Sequence, residues 1–253
     1  IAIICLSVVI LDLYFARRTL LQKTGDVSSI GQHTQSLSQF VDEAIDRLKE
    51  KEMIVTKMAT IVSHELKNSL STIMGLIRSG GVEEKKLNHE IKRMLEFLDR
   101  ISLFTRPIKV KNELICLNYL ILDVLQDFRT ATETVLEFNS SDELRITTDP
   151  VILEHILKNI IKNSIDALDG RGKIQIDLEK KPEKVSISIA DDGPGIPPED
   201  LKKIFQPFYT TKPDGTGLGL AIVKRFSEAI GAEVSVSSKP GRGTRFILEL
   251  PNV

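Results

Sequence analysis

A chain of 253 residues with 42% hydrophobic and 27% charged content must bury at least one core and is neither disordered nor collagenous. Its formal net charge of -1 leaves no basic footprint of the kind that nucleic-acid binding needs, so nucleic acid is not an expected partner. The 2 cysteines, Cys5 in an apolar run and Cys116 in a predicted strand, are too few and too isolated for a disulfide framework or a zinc site; they fit a reducing compartment as packing residues.

Residues 1–16 are apolar apart from Asp12 and a few small or polar positions, and at about 1.5 Å per residue they reach roughly 24 Å against a hydrocarbon core of about 30 Å. With Ile1 in place of an initiator methionine, they are expected to be the C-terminal part of a membrane helix; a buried helix is the alternative. Arg17, Arg18 and Lys23 follow the run, the positive-inside order for a helix ending on the cytoplasmic side and the reverse of a signal peptide. Residues 24–35, rich in Gly, Ser, Thr and Gln, read as a connector.

From Leu37 the period changes. Val41, Ala44, Leu48, Val55, Met58 and Val62 fall at alternating steps of three and four, a coiled-coil seam with Lys51 at its one polar position. His64 lies two residues past the seam, so the heptad turns it outward, where a reactive group has to sit. The apolar pattern runs on through Leu66, Leu70, Ile73, Leu76 and Ile77 and stops at Ser79-Gly80-Gly81. A second helix is predicted from Leu87, Ile91, Met94, Leu95, Leu98, Ile101 and Leu103, with Pro107 marking its end. Two helices, each with a stripe too wide for one neighbour, predict a dimeric four-helix bundle; a hairpin packed on its own next domain is the alternative.

Beyond Pro107 short strands alternate with helices. Strands are predicted over 114–117, 134–138 and 144–147, with a helix over 119–130. Asp149 as a cap and Pro150 at the first helical position open a helix to residue 168. Residues 173–179 and 184–189 alternate as a strand pair, 218–230 is a helix, and 233–237 with 244–250 form a hairpin around Lys239-Pro240-Gly241-Arg242-Gly243. The class is α+β, a mixed sheet covered by helices on one face.

Three stretches carry chemistry. On the helix from Pro150, Leu153, Ile156, Leu157, Ile160, Ser164 and Leu168 face a core, while Asn159, Lys162, Asn163 and Asp166 share the opposite face. An asparagine carbonyl is a neutral oxygen ligand suited to a hydrated magnesium carrying phosphates, although a solvated helix face looks similar. Asp191-Asp192-Gly193-Pro194-Gly195-Ile196-Pro197 follows a strand; its glycines admit close backbone approach, and a carboxylate there can accept from an exocyclic amine such as adenine N6. Gly215-Thr216-Gly217-Leu218-Gly219-Leu220 opens a helix, a place for phosphates on backbone N–H groups. The chain lacks the ribose-binding acid of a dinucleotide fold and the Gly-Lys-Ser/Thr ending of a P-loop.

The order His64-Glu65-Leu66-Lys67-Asn68, then Asn159 and Asn163, then Asp191 to Gly195, then Phe205-Gln206-Pro207-Phe208-Tyr209, then Gly215 to Gly219 resembles the H, N, G1, F and G2 boxes of sensor histidine kinases. The resemblance covers about residues 50–250, and the continuation Asn163-Ser164-Ile165-Asp166-Ala167-Leu168 is similar to nitrogen-regulation-type kinases. It implies a Bergerat-fold ATP-binding domain over 112–253 and a dimerisation and histidine phosphotransfer domain over 37–107, preceded by the expected juxtamembrane linker over 17–36 and the C-terminal part of a membrane helix over 1–16. It implies ATP and Mg2+ as cofactors, with Asn163 as the metal ligand, Asn159 and Lys162 beside it, and Asp191 on adenine with Gly193, Gly195, Ile196 and Thr244 around it. Thr210, Thr211, Lys212, Gly215, Thr216, Gly217, Leu218, Gly219 and Leu220 would surround the phosphates, with Phe205 and Phe208 pinning a lid between Phe208 and Gly215.

By the same resemblance His64 takes the phosphoryl group, Glu65 takes a proton from the imidazole or sets its tautomer, and Asn68 orients water for removal of phosphate from a response regulator. The implied protein is a homodimer anchored in the inner membrane with its catalytic part in the cytoplasm. Its phosphoryl acceptor is expected on a separate receiver domain, since none follows Val253 in this sequence. Two other readings are a Bergerat-fold ATPase, against which Asn159 stands where such enzymes use a glutamate base, and an inactive coiled-coil scaffold. Ser69 replaces the proline that the family commonly places five residues after the histidine, and serine keeps the backbone N–H.

Overall fold

The structure, a computed structural model, describes residues 27–78, 84–129, 132–212 and 215–251. The expected membrane span over 1–16, the linker as far as residue 26 and the Ser79-Gly80-Gly81 turn lie outside the described residues. Among the described residues no helix is long and apolar enough to cross a membrane.

Helix α1 (Val27–Arg78) runs unbroken for 52 residues. It takes in residues 27–35, which the sequence reading assigns to a connector. Ser, Thr and Gln cost only a few tenths of a kcal/mol each in a helix interior and Gly31 about 1 kcal/mol, and lengthening an existing helix avoids a new nucleus. Ser69 is buried and lies within the continuous helix. The chain divides into two compact units within α1, between Glu65 and Leu66. In the first unit Met53, Val55 and His64 are exposed, whereas Met58, Val62 and Glu65 are half-buried.

The second unit holds the rest of α1, α2 (Glu84–Thr105), and an α+β fold. The latter runs β1 (Glu113–Cys116), α3 (Leu117–Arg129), β2 (Val135–Ser140), β3 (Arg145–Thr148), α4 (Pro150–Ala167), β4 (Lys173–Lys180), β5 (Lys184–Asp191), α5 (Pro198–Leu201), α6 (Gly219–Ala229), β6 (Glu233–Ser238) and β7 (Thr244–Pro251). Only the single-turn α5 has no counterpart among the predicted elements.

The main sheet has the order β2-β4-β5-β7-β6, with β2 parallel to β4 and every other pair antiparallel, so it is mixed. The parallel pair requires a crossover, which β3 and α4 supply. Ile174, Ile176 and Leu178 of β4, Val185, Ile187 and Ile189 of β5, and Phe246, Leu248 and Leu250 of β7 point to one face and are buried. Leu153, Ile156, Leu157, Ile160 and Ile161 of α4 are buried too, beside Ile121, Val124 and Leu125 of α3 and Ile222, Val223 and Phe226 of α6. On the open face Asn139, Gln175 and Arg245 surround the Asp177 carboxylate.

Asp149 closes the start of α4 as predicted. Its Oδ1 accepts from the amides of Val151 and Ile152, both at 3.0 Å, and its Oδ2 accepts from Lys111 N at 2.7 Å, tying the entry segment to the helix that carries the polar face. At the other end of the core, Arg225 of α6 caps α2. Its Nη1 donates to the carbonyls of Leu103 and Phe104 at 2.9 and 2.6 Å, its Nη2 to that of Arg106 at 2.6 Å, and its guanidinium lies 5.9 Å from the Phe104 ring centroid. One cation thus satisfies carbonyls that the last turn of a helix leaves open.

Candidate functional site

The sheet ends its inner strand β5 on Asp191, a carboxylate only 8% exposed. Pairing with β7 sets Thr244 opposite it, and the core face of α4 brings Ser164 beneath. Asp191 Oδ1 accepts from the amides of Thr244 and Gly193, each at 3.1 Å, and Oδ2 accepts from Ser164 Oγ at 3.0 Å. Ser164 reads in the sequence as one more core position. A hydroxyl among isoleucines has to find a partner when buried, and here that partner is the site carboxylate.

The turn after Asp191 is laced to the β6–β7 hairpin. Ile196 N donates to Ser238 Oγ at 2.8 Å, Ser238 Oγ donates to Gly243 O at 2.8 Å, and Gly241 N donates to Pro194 O at 2.7 Å. Gly195, at φ +75°, would drive a Cβ into the Lys239 carbonyl; Gly243, at φ +77°, would drive one into the carbonyl of Asp191 itself. Gly243→Ala is therefore expected to cost more than the 1–2 kcal/mol of a left-handed alanine, whereas Gly241→Ala, at φ +74° with open space around it, should cost no more than that. Urea unfolding midpoints of the two variants check the difference.

A cleft of about 640 Å³ opens from Asp191 toward the start of α6, built wholly from residues of the second unit. Asn159, Lys162, Asn163 and Asp166 line one wall from α4. Asn159 Nδ2 donates to His155 O at 2.8 Å, which turns its Oδ1 toward Gly219. A Cβ on Gly219 would sit 3.2 Å from that oxygen and within 3.8 Å of the Asn163 amide, so glycine keeps the space in front of both amides open. Among the described residues no group of three or more His, Cys, Asp or Glu could hold a metal. Amide oxygens on one helix suit an ion that keeps most of its ligands as water and phosphate, so the donor set fits hydrated Mg2+.

The far wall is the loop before α6. Gly217, at φ +64°, packs on the Phe208 backbone too closely for any side chain, and its carbonyl accepts from Phe208 N at 2.8 Å. Phe208, buried and itself at φ +65°, is held there. Phe205 packs edge-on against Phe246 at 6.5 Å. Lys212 Nζ meets Asp166 Oδ2 at 3.0 Å, bridging the loop to α4, and Lys212 N donates to Thr210 Oγ1 at 3.1 Å. The Tyr209 hydroxyl donates to the Asp200 carboxylate, holding the Asp200 carboxyl below and the Tyr209 phenol above their ordinary ranges.

Of the residues assigned to the nucleotide, Ile196, Thr210, Thr211, Lys212, Gly215, Thr216, Gly217, Gly219, Leu220 and Thr244 line this cleft, as do Asn159, Lys162, Asn163, Asp191 and Gly195. Four do not. The Leu218 side chain is fully buried at the N-cap of α6, which leaves its backbone amide, 3.4 Å from Thr216 Oγ1, as the part of the residue in the loop. Phe205 and Phe208 pack behind the loop, and Gly193 acts through its amide on Asp191. Residues 213–214 of the expected lid lie outside the described residues. His64 and Glu65 belong to the first unit, and Asn68, exposed, lies in the second with its carbonyl accepting from Thr72 Oγ1 at 3.0 Å. Arg93, Glu96, Phe97 and Arg100 of α2 also line the cleft, and no motif in the sequence marks them.

Residues 148–253 match the family model described as histidine kinase-, DNA gyrase B-, and HSP90-like ATPase. The sensor histidine kinase ZraS of Salmonella typhimurium is 33% identical over 230 residues, covering 83% of this chain and 49% of that protein. The catalytic domain of histidine kinase ThkA superposes with a TM-score of 0.53 at 35% identity, over 56% of this chain and 96% of that one. The chain belongs to the histidine kinase family. A longer stretch of this histidine kinase, 86% of it, superposes on 67% of histidine kinase ThkA in complex with response regulator protein TrrA, with a TM-score of 0.69 at 27% identity. The chain spans about half the length of the curated kinases it matches. The Bergerat-type ATPase architecture implied by the five sequence boxes is thus the architecture of this histidine kinase's second unit from β1 onward.

Proposed function

We propose that this histidine kinase uses ATP and magnesium to phosphorylate His64 and then passes the phosphoryl group to an aspartate of a separate response regulator. The observation that carries the reading is the cleft itself: a buried carboxylate with three fixed donors at one end, two amide oxygens in the middle and a glycine loop at a helix N-terminus at the other. Those ends match an exocyclic amine, a hydrated cation and phosphates respectively. Asn163, with Asn159 beside it, would hold the magnesium, whose charge offsets that of the phosphoryl oxygens. An imidazole nitrogen of His64 forms the N–P bond as the bond to the β,γ-bridging oxygen breaks and ADP leaves, and Glu65 takes the proton from the other ring nitrogen.

Dimerisation through a four-helix bundle is supported by the apolar side chains that α1 and α2 leave in solvent. Leu70, Met74, Ile77, Ile91, Leu95 and Leu98 are 38–56% exposed. Membrane anchorage rests on the apolar run over 1–16 followed by Arg17, Arg18 and Lys23, which places the catalytic part in the cytoplasm. The regulator as partner is supported by the ThkA–TrrA complex.

Incubation with γ-labelled ATP and magnesium should give protein-bound label that is acid-labile and alkali-stable, as a phosphohistidine is; absence of label would overturn the reading. The pairing of Glu65 with Asn68, one helical turn beyond His64, supports a second activity, placement of water in line on a phosphoaspartate. Asn68→Ala is expected to keep autophosphorylation but slow regulator dephosphorylation in the presence of ADP about tenfold or more, while Glu65→Ala impairs the kinase step as well. Equal dephosphorylation rates for wild type and Asn68→Ala would remove the second activity.

A further inference from the structure

The phosphate end of the cleft contains a cation that does not come from the ATP-binding fold. Arg100, half-buried on α2, lines the cleft, and its Nη1 donates to Thr216 Oγ1 at 3.2 Å. Thr216 stands between Gly215 and Gly217 in the loop that opens α6, with the Leu218 amide 3.4 Å from the same oxygen. The position of Arg100 is not accidental to a loose helix. Leu103 and Phe104, three and four residues further on, lie on the same side of α2, and their carbonyls are those that Arg225 of α6 clamps. A single helix, α6, therefore offers its N-terminus to the phosphates and fixes the helix that brings Arg100 to them.

Lys212, the cation that the loop itself supplies, is engaged by Asp166 at 3.0 Å. The hydrogen bond of Arg100 goes instead to a neutral hydroxyl, and an anionic phosphate, whose oxygens match the guanidinium fork two at a time, is a stronger acceptor than a hydroxyl. Given that the cleft binds ATP, on which this step rests, we propose that Arg100 recognises the terminal phosphate of the nucleoside triphosphate. On binding, its fork exchanges Thr216 for γ-phosphoryl oxygens, and its charge is then in place as the bond to the bridging oxygen breaks. The hairpin helix thereby distinguishes ATP from ADP, which lacks the group that Arg100 reads.

Calorimetric titration of the whole chain with ATP and with ADP, each with magnesium, tests this in wild type, Arg100→Gln and Arg100→Lys. Arg100→Gln should raise the Kd for ATP about tenfold and that for ADP less than about twofold, and Arg100→Lys, which keeps the charge but loses the fork, should recover part of the difference. A helix anchor without contact to phosphate would weaken both nucleotides alike, so an unchanged ATP-to-ADP ratio in a folded Arg100→Gln overturns the assignment while leaving the nucleotide site standing. If Arg100→Gln does not fold, Arg100→Lys decides alone: its ratio of Kd for ATP to Kd for ADP must rise above that of wild type, and an unchanged ratio overturns the assignment. Wild type that binds neither nucleotide would overturn both this proposal and the function on which it rests.

Discussion

His64→Gln should lose all autophosphorylation, a fall of more than about a thousandfold in labelling rate, with the Kd for ATP unchanged. An amide has no nucleophilic nitrogen, so the variant removes the acceptor and nothing else from the proposed reaction. His64 is exposed on α1, in the first of the two units, while every residue lining the cleft belongs to the second, so the substitution leaves the cleft's own contacts in place. Filter-bound counts from γ-labelled ATP, set beside calorimetric binding on the same preparation, make the comparison. Label retained by His64→Gln would move the acceptor to another residue. A mixture of His64→Gln with Asn163→Ala protomers should recover part of the label if transfer runs between chains, since each defect then sits on a different copy.

Loss of nucleotide binding is the second large effect expected. Asp191→Asn replaces an acceptor oxygen with an NH2 group inside a ring of donors, Ser164 Oγ and the amides of Gly193 and Thr244. With its NH2 toward Gly193 and Thr244 the amide faces two donors with a donor; turned the other way it donates to the Ser164 hydroxyl, and in either case the negative acceptor for an exocyclic amine is lost. Hydrogen bonds to a charged group are worth about 1.5–3 kcal/mol each, so the Kd for ATP should rise about a hundredfold. The same donors stabilise the fold, so a loss of about 1–3 kcal/mol in unfolding free energy should accompany it. Asn163→Ala separates the two effects: its side chain is half-buried on the cleft wall, and its removal should weaken binding of magnesium-ATP with little change in stability. Calorimetry and urea unfolding of both variants provide the check; wild-type affinity in both would dismiss the cleft as the nucleotide site.

Much of this molecule was legible in its residues because each signal was local. Period-two alternation at Ile174, Ile176 and Leu178, and again at Phe246, Leu248 and Leu250, admits little but a strand with one buried face, and both strands formed within a residue of their expected ends. Asp149-Pro150 announced the start of α4 because a carboxylate cap and a proline without an N–H suit only that position. The order of the five boxes named the family before any coordinate did. Residues 27–35 of the expected connector are helical for an equally local reason: polar, weakly helix-disfavouring residues carry no signal of the long helix that takes them in.

What remained hidden depended on residues far apart in the chain. Ser164 looked like packing until β5 set Asp191 above it, and Gly243 looked like a turn until β7 laid it on the Asp191 carbonyl. Nothing in the sequence marked that the Leu218 side chain, at the N-cap of α6, is buried while its amide stays in the loop. Arg100 and Arg225 carry no motif, and 116 residues separate Arg100 from its partner Thr216. Period, capping and motif order are written between near neighbours, so the amino-acid sequence by itself determined the elements, the family and the residue types at the site. Which donors surround the Asp191 carboxylate depends on contacts closed across 27 and 53 residues, through α4 and the β5–β7 pairing, and which helix lends the cleft a cation depends on contacts closed across more than a hundred, through the packing of α2 and α6; only the tertiary structure decided both.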